Sequence, residues 1–386
     1  MNAQNDRAVG AIATEVRLDR PWIDWSVVAL ILAIKVLVLI FGGVVYTVWA
    51  NKAPVGFYGW LEIWNHWDGP HYLDIARDGY VTQGDQRNWI VFYPLYPWAI
   101  RLFTLVLRNP LLSAFAVSAL ASVVAGLLLS RLTQLDFDRA VSRSAVWFMF
   151  IFPTSYFLHI GYTESLFLAL ALGSFLAARK RAWWLAGVVG ALACLTRVNG
   201  LLLIPALACE AFLQYRTDGW RGPRAEWLWI AFIGVGFALY LFINYHVFGA
   251  PLAFLQFQRD WFFKLPSWPW VGIVKVWTWK WGNARQLHIN GTQEFFFILL
   301  GLACTIWCWC SLRASYTVWM ALNWLLFTST SWVQSVPRYA LVMFPIFILF
   351  ARFTAARPVW FGIITVWSLM FMSLFITLLV QGEWAF

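Results

Sequence analysis

The chain has 386 residues, 61% hydrophobic and 12% charged, with 33 Phe, 28 Trp and a net charge of +10. Soluble domains carry about 25% charged residues, so this composition excludes an ordinary soluble enzyme. The positive charge does not point to nucleic acid, because the basic residues are scattered through short loops and form no basic face.

Several apolar runs reach the about 20 residues needed to cross a hydrocarbon core of about 30 Å. The alternation of barrel strands is missing, and in lipid only a helix satisfies all its backbone groups within one segment. The expected fold is an all-α polytopic membrane protein, a single domain over residues 1–386. A polar tail, 1–24, precedes an apolar run from Trp25 to Trp49 that is too long for a signal-peptide core, so an uncleaved anchor is expected. Eleven spans are predicted: 25–49, 110–130, 143–159, 163–178, 182–196, 200–213, 226–247, 294–312, 315–331, 338–353 and 358–380. Those under 20 residues are expected to be broken, re-entrant or embedded among other helices.

Lys and Arg set the orientation. With the N-terminus in the cytoplasm, fifteen basic residues fall in the inner segments, including Arg139, Arg143, Arg179, Lys180, Arg181, Arg216, Arg221 and Arg313. Twelve fall in the outer segments, which are about twice as long. This requires 93–108 to form a helix that does not cross. Two large outer segments result, 50–109 and 248–293. The second mixes Trp261, Trp268, Trp270, Trp277, Trp279 and Trp281 with Lys264, Lys275, Lys280 and Arg285, as interfacial helices do. Asn290-Gly291-Thr292 is a glycosylation sequon only on a eukaryotic secretory route. The five cysteines, Cys194, Cys209, Cys304, Cys308 and Cys310, lie in apolar runs with no His nearby and read as core- or lipid-facing thiols.

The densest polar segment is 64–80, Trp-Asn-His-Trp-Asp-Gly-Pro-His-Tyr-Leu-Asp-Ile-Ala-Arg-Asp-Gly-Tyr. Gly69-Pro70 after Asp68 is a helix start and Gly79 a stop. Asp68 reads either as an N-cap or as a general base at an exposed helix N-terminus. His66, Asp68 and His71 resemble metal ligands, although structural hydrogen bonding accounts for most such His pairs. Asp74 and Arg77 form an i, i+3 ion pair on the helix surface. Phe92-Tyr93-Pro94-Leu95-Tyr96-Pro97 reads as an interfacial anchor or as rings lining a groove for sugar or lipid.

Three polar points then interrupt apolar runs at the same outer level: Thr163-Glu164-Ser165, Thr196-Arg197-Val198-Asn199-Gly200 and Ser335-Val336-Pro337-Arg338-Tyr339. Each alone reads as capping or snorkelling. Together, one carboxylate loop and two arginines suit an anionic lipid-linked substrate, because guanidinium holds phosphate by forked hydrogen bonds.

The run Trp67-Asp68-Gly69-x-His71-Tyr72-Leu73-x-Ile75-Ala76-x-x-Gly79-Tyr80 resembles the signature of the GPI mannosyltransferase II (PIG-V-like) family, with bacterial members closer still. The aromatic-proline run 92–97, Gly161-Tyr162-x-Glu164-Ser165, Arg197-x-Asn199-Gly200 and Pro337-Arg338-Tyr339 resemble further motifs, in the family's order. The resemblance implies a GT-C-like bundle of about eleven spans with extracytoplasmic loop helices. It implies an inverting transferase moving a sugar, most plausibly mannose, from a polyprenyl-phosphate donor to a lipid-linked or cell-envelope glycan acceptor. Asp68 and Glu164 would be catalytic, and Arg338 and Arg197 would bind the donor phosphate. Trp64, Trp67, His71, Tyr93, Tyr96, Asn199 and Tyr339 would contact substrate. No cofactor or metal is expected, and the setting is a bacterial cell membrane rather than the endoplasmic reticulum. The alternative is a transporter or flippase of lipid-linked sugars. That reading calls for charges near the bilayer midplane, where only Lys35 stands.

Overall fold

The computed structural model describes residues 23–219, 222, 224–279 and 285–386. The expected tail, apart from Ile23 and Asp24, lies outside the described residues, as do Arg221, Lys280 and Trp281. Among the described residues the protein is helical, and the one β pairing is an isolated bridge between Pro266 and Thr330.

Helix α1 (Trp25–Ala50) starts behind Asp24, whose carboxylate accepts the Ser26 amide at 3.1 Å. The segment 50–109, expected on the outer side, holds α2 (Gly56–Glu62), α3 (Asp68–Asp78), a 3-10 turn (Asp85–Val91) and α4 (Leu95–Leu107). Helix α5 (Pro110–Thr133) is capped by Asn109, which accepts the Leu112 amide at 2.9 Å, and begins with a proline where no N–H is needed. Helix α6 (Arg139–Ile151) stops short of Pro153, and a 3-10 turn (Ser155–Leu158) leads to α7 (Glu164–Arg179). Next come α8 (Trp183–Cys194), α9 (Leu203–Thr217) and α10 (Trp229–Phe248). The segment 248–293, also expected on the outer side, holds α11 (Ala253–Asp260) and α12 (Pro269–Trp279). Helices α13 (Arg285–Ser311), α14 (Ala314–Thr328), α15 (Val336–Tyr339), α16 (Pro345–Thr354) and α17 (Pro358–Val380) complete the bundle.

The expected count of eleven spans is not reproduced. Among the described residues six helices are long and apolar enough to cross, or up to eight if each of two bent pairs counts as one span. The other predicted spans are helices, but short ones: α6, α7, α8, α14 and α16. Burial explains how short helices persist. One face of α7 is fully enclosed at Phe167, Leu168, Ala171, Leu172 and Phe175, with α5, α8 and α9 packed around it. Helix α4 has only 13 residues and meets the turn before it at 111°, a geometry consistent with the non-crossing reading of 93–108. The sequon Asn290-Gly291-Thr292 falls inside α13 rather than in a loop.

The ends of α7 carry the two main polar clusters. At its C-terminal end Arg179 pairs with Asp136 at 2.7 Å, and nearby Arg313 pairs with buried Glu210 at 2.7 Å. At its N-terminal end stands Glu164, roughly 22 Å away at 1.5 Å per residue. Lys35, the expected mid-span charge, is buried and donates to the Leu158 and His159 carbonyls at 3.1 and 3.2 Å. Those carbonyls belong to the unwound chain before α7, so Lys35 satisfies backbone that has no helical partner.

Candidate active site

Trp67 turns the chain into α3 at φ 53° and ψ −108°, a sparsely populated backbone conformation that costs about 1–3 kcal/mol. Long-range bonds hold this corner. The Trp67 indole donates to the Glu383 carbonyl at 3.2 Å, and the Tyr162 hydroxyl donates to the His66 carbonyl at 2.5 Å. A Cβ on Gly69 would come within 2.8 Å of the Asn65 side-chain oxygen, so a larger residue there would have to displace the Asn65 amide. The result places Asp68 as the first residue of α3. The N-cap reading of Asp68 is therefore corrected: Trp67 occupies that position, and the carboxylate reaches away from the helix to Arg338.

Arg338 is the joint of the site. Its Nη1 donates to Asp68 Oδ2 at 2.6 Å and its Nε to Glu164 Oε1 at 2.5 Å. The guanidinium lies 4.5 Å from the Phe157 ring centre and 4.9 Å from that of Tyr162. Arg197 joins from the other side, donating to Glu164 Oε1 and to the Thr163 hydroxyl. The side chain of Asp68 is 26% exposed, whereas Glu164 is fully buried. Two cations thus share one buried carboxylate, which holds their geometry.

These groups face a cavity of about 300 Å³. Asp68, Tyr72, Tyr93, Arg197, Asn199, Arg338 and Tyr339 line it, with Lys264 and Trp384. Tyr93 stacks on Tyr240 at 4.0 Å, Asn199 donates to the Asn323 side chain at 2.7 Å, and Tyr339 stacks on Phe327 at 4.9 Å.

Other expected contacts lie elsewhere. Glu164 sits behind the arginines and does not line the cavity, so it positions them rather than touching a reactant. Tyr96 is fully buried, its hydroxyl bonded to the Ala114 carbonyl and the Ser118 hydroxyl, which leaves no face for substrate. Trp64 is 1% exposed and packs where a Cβ on Gly42 would stand, 2.1 Å from the ring, so it is a helix-packing residue. His71 stacks on Trp89 at 3.6 Å, outside the cavity lining. Burial holds the His71 pKa below its usual value, against the opposing charges of Asp68 and Asp74. Trp67 is 41% exposed and meets the cavity through Trp384, edge-on at 4.9 Å. Asp74 and Arg77 pair at 3.0 Å on the surface, as the spacing predicts. Among the described residues no three His, Cys, Asp or Glu side chains are grouped to hold a metal ion.

Lys264 and Trp384 were not foreseen. Lys264 comes from the aromatic-basic stretch after α11, and its ammonium stands 5.5 Å from the Trp332 ring centre and 5.7 Å from that of Tyr339. Among the described residues it has no carboxylate within ion-pair distance. Buried Glu294 interacts with it electrostatically and already accepts the Ser335 and Val336 amides. Arg197 lies 5.6 Å from the same Tyr339 ring. Backbone pairing of the 265–267 stretch with 329–331 brings Lys264 there, a long-range event with no local sequence signal.

The bundle, its short buried helices and the polar cluster at the N-terminal end of α7 define a polytopic membrane protein of GT-C-like fold. A crystal structure of ArnT from Cupriavidus metallidurans bound to undecaprenyl phosphate superposes with a TM-score of 0.53 at 14% identity, covering 85% of this chain and 60% of that one. The signature of the mannosyltransferase (PIG-V) family matches residues 56–258, more than half of the chain, and the chain belongs to that family. It is 30% identical over 178 residues to mouse GPI alpha-1,6-mannosyltransferase 2, covering 42% of this chain and 34% of the mouse protein. The human counterpart is 28% identical over 225 residues, 52% of this chain and 45% of its own length. The chain thus spans between about a quarter and under a half of the length of the curated relatives it matches.

Proposed function

We propose that the protein is an inverting glycosyltransferase that moves mannose from a polyprenyl-phosphate donor to a lipid-linked or cell-envelope glycan acceptor. One observation carries the reading: a part-exposed carboxylate, Asp68, is held by Arg338 in a cavity that also presents Arg197 and Lys264. Asp68 takes the proton of an acceptor hydroxyl while that oxygen attacks C1 of the donor sugar. The C1–O bond to the lipid phosphate breaks, its electron pair leaves with the phosphate, and the anomer inverts in one displacement.

The departing phosphate gains negative charge, so its stabilisation calls for fixed cations. Arg197 and Lys264, both against Tyr339, supply them, and Arg338 keeps Nη2 free of protein acceptors among the described residues. Glu164 positions both arginines. This reading assigns charge stabilisation to arginine and lysine rather than to a metal. The active face is extracytoplasmic, in a bacterial cell membrane, with the Arg179 and Arg313 cluster inside. The transport alternative is weakened because Lys35 is committed to two backbone carbonyls.

Mass spectrometry of cell-envelope glycans from a deletion strain tests the function. A mannose-containing glycan or glycolipid should disappear and return with the wild-type gene. An unchanged glycan profile would count against the reading. Membrane-impermeant maleimide tests the orientation: Thr217→Cys should stay unlabelled in intact cells, and labelling would reverse the sides.

A further inference from the structure

We infer that Trp384, with Trp67 beside it, forms the acceptor subsite, the wall on which a pyranose ring of the acceptor glycan docks. The inference rests on the transfer reading above and adds where, and by what chemistry, the second substrate binds.

The segment after α17 folds back onto the site. Gly382 turns at φ 76°, and the Glu383 amide donates to the Leu378 carbonyl at 2.9 Å. The Tyr156 hydroxyl donates to the Ala385 carbonyl, and Phe386 is buried against Phe375 at 4.9 Å. These contacts set Trp384 into the cavity wall. The two indoles differ in one respect. The N–H of Trp67 is used by the Glu383 carbonyl, whereas that of Trp384 is buried and has no hydrogen-bond partner. Buried indole N–H groups normally find an acceptor, and a sugar hydroxyl would provide one when the Trp384 ring turns its N–H toward the cavity.

Position selects the acceptor over the donor lipid. Contacts run from Trp384 to Trp67 and Asp68, then through Arg338, Glu164 and Arg197 to Tyr339 and Lys264. Arg197 and Lys264 lie toward one end of this chain, Arg338 in its middle, and the aromatic pair at the other end. In-line displacement requires the incoming hydroxyl on the side of C1 opposite the leaving phosphate. With the phosphate at Lys264 and Arg197, the place inferred for that hydroxyl is beside Asp68, where Trp384 lines the cavity. An aromatic face with one free donor suits the C–H face and a hydroxyl of a pyranose, and needs no charge.

The test uses the full-length purified chain in nanodiscs, with methyl α-mannopyranoside, methyl α-glucopyranoside and methyl β-galactopyranoside as probes. Saturation-transfer NMR on wild type should show at least one of them bound, and Trp384→Ala should lose that signal. In transfer assays Trp384→Ala should raise the acceptor KM about tenfold and leave the donor KM within about twofold. Trp384→Phe, which keeps a ring without the N–H, should fold normally and fall between. Wild-type-like sugar binding in Trp384→Ala, no binding of any probe to wild type, or equal rises in both KM values would overturn the subsite. Wild type that binds a probe and loses it in Trp384→Ala, yet transfers no mannose, would support the subsite and overturn the transfer reading.

Discussion

Nη1 of Arg338 stands 2.6 Å from Oδ2 of Asp68, joining residues 270 positions apart in the chain. The pair is asymmetric: the arginine side chain is 6% exposed and the carboxylate 26%. Among the described residues Oδ1 of Asp68 has no hydrogen-bond partner, so one oxygen is anchored while the other is available to take a proton. A carboxylate fixed this way keeps one orientation and leaves one oxygen free for the proton transfer proposed for it.

Glu164 should matter through the arginines it holds. Its carboxylate is fully buried and shared by Arg338 and Arg197. Glu164→Gln leaves two cations without their common counter-charge, and breaking a buried pair costs about 3–5 kcal/mol. A lower thermal unfolding midpoint is expected, together with loss of transfer. An unchanged midpoint with full activity would show that the pair does not organise the site.

Lys264 should act on the donor alone. Hydrogen bonds to charged groups contribute about 1.5–3 kcal/mol, so Lys264→Ala should raise the donor KM roughly 10- to 100-fold. Lys264→Arg should retain most affinity, and the acceptor KM should stay near wild type. Steady-state kinetics with varied donor reads the difference.

His71 should impose a pH dependence on stability. Its pKa is held below the usual 6.5 by burial, so above about pH 6.5 it is neutral in both folded and unfolded chains and its contribution is fully present. As pH falls below that value the unfolded chain gains a proton first, and stability is lost. The unfolding midpoint of wild type minus that of His71→Gln should therefore decline from pH 7 to pH 5. A flat difference would show that His71 titrates alike in both states.

Gly200 should tolerate no side chain. A Cβ there would come within 2.4 Å of the Cys194 backbone nitrogen, and backbone cannot swing aside. Gly200→Ala should lower the yield of folded protein and displace Arg197, three residues earlier. Size-exclusion yield of the purified variant measures this.

Much of this architecture was legible residue by residue. The apolar runs from Trp25 and from residue 110 marked α1 and α5, and the structure adds the caps at Asp24 and Asn109. Asp68, Glu164, Arg197 and Arg338 stood out as polar points at span ends. The span expected at 143–159 carried its own contradiction, since Pro153 lacks the N–H a helix needs there. What eluded a one-dimensional reading was burial and long-range pairing. Nothing in the sequence separates a tryptophan that faces sugar from one that fills a notch, and the missing Cβ of Gly42 made Trp64 the latter. Lys264 and Trp384 reach the cavity through contacts to residues far away in the chain.

The most direct test of the central claim is transfer of radiolabelled mannose from polyprenyl-phosphate-mannose by purified Asp68→Asn, beside wild type. The amide preserves shape and can still meet Arg338, but it cannot accept a proton. Turnover should fall by about 10²- to 10⁴-fold, with the unfolding midpoint near that of wild type. A folded Asp68→Asn protein that turns over as fast as wild type would contradict the assignment of Asp68 as the base.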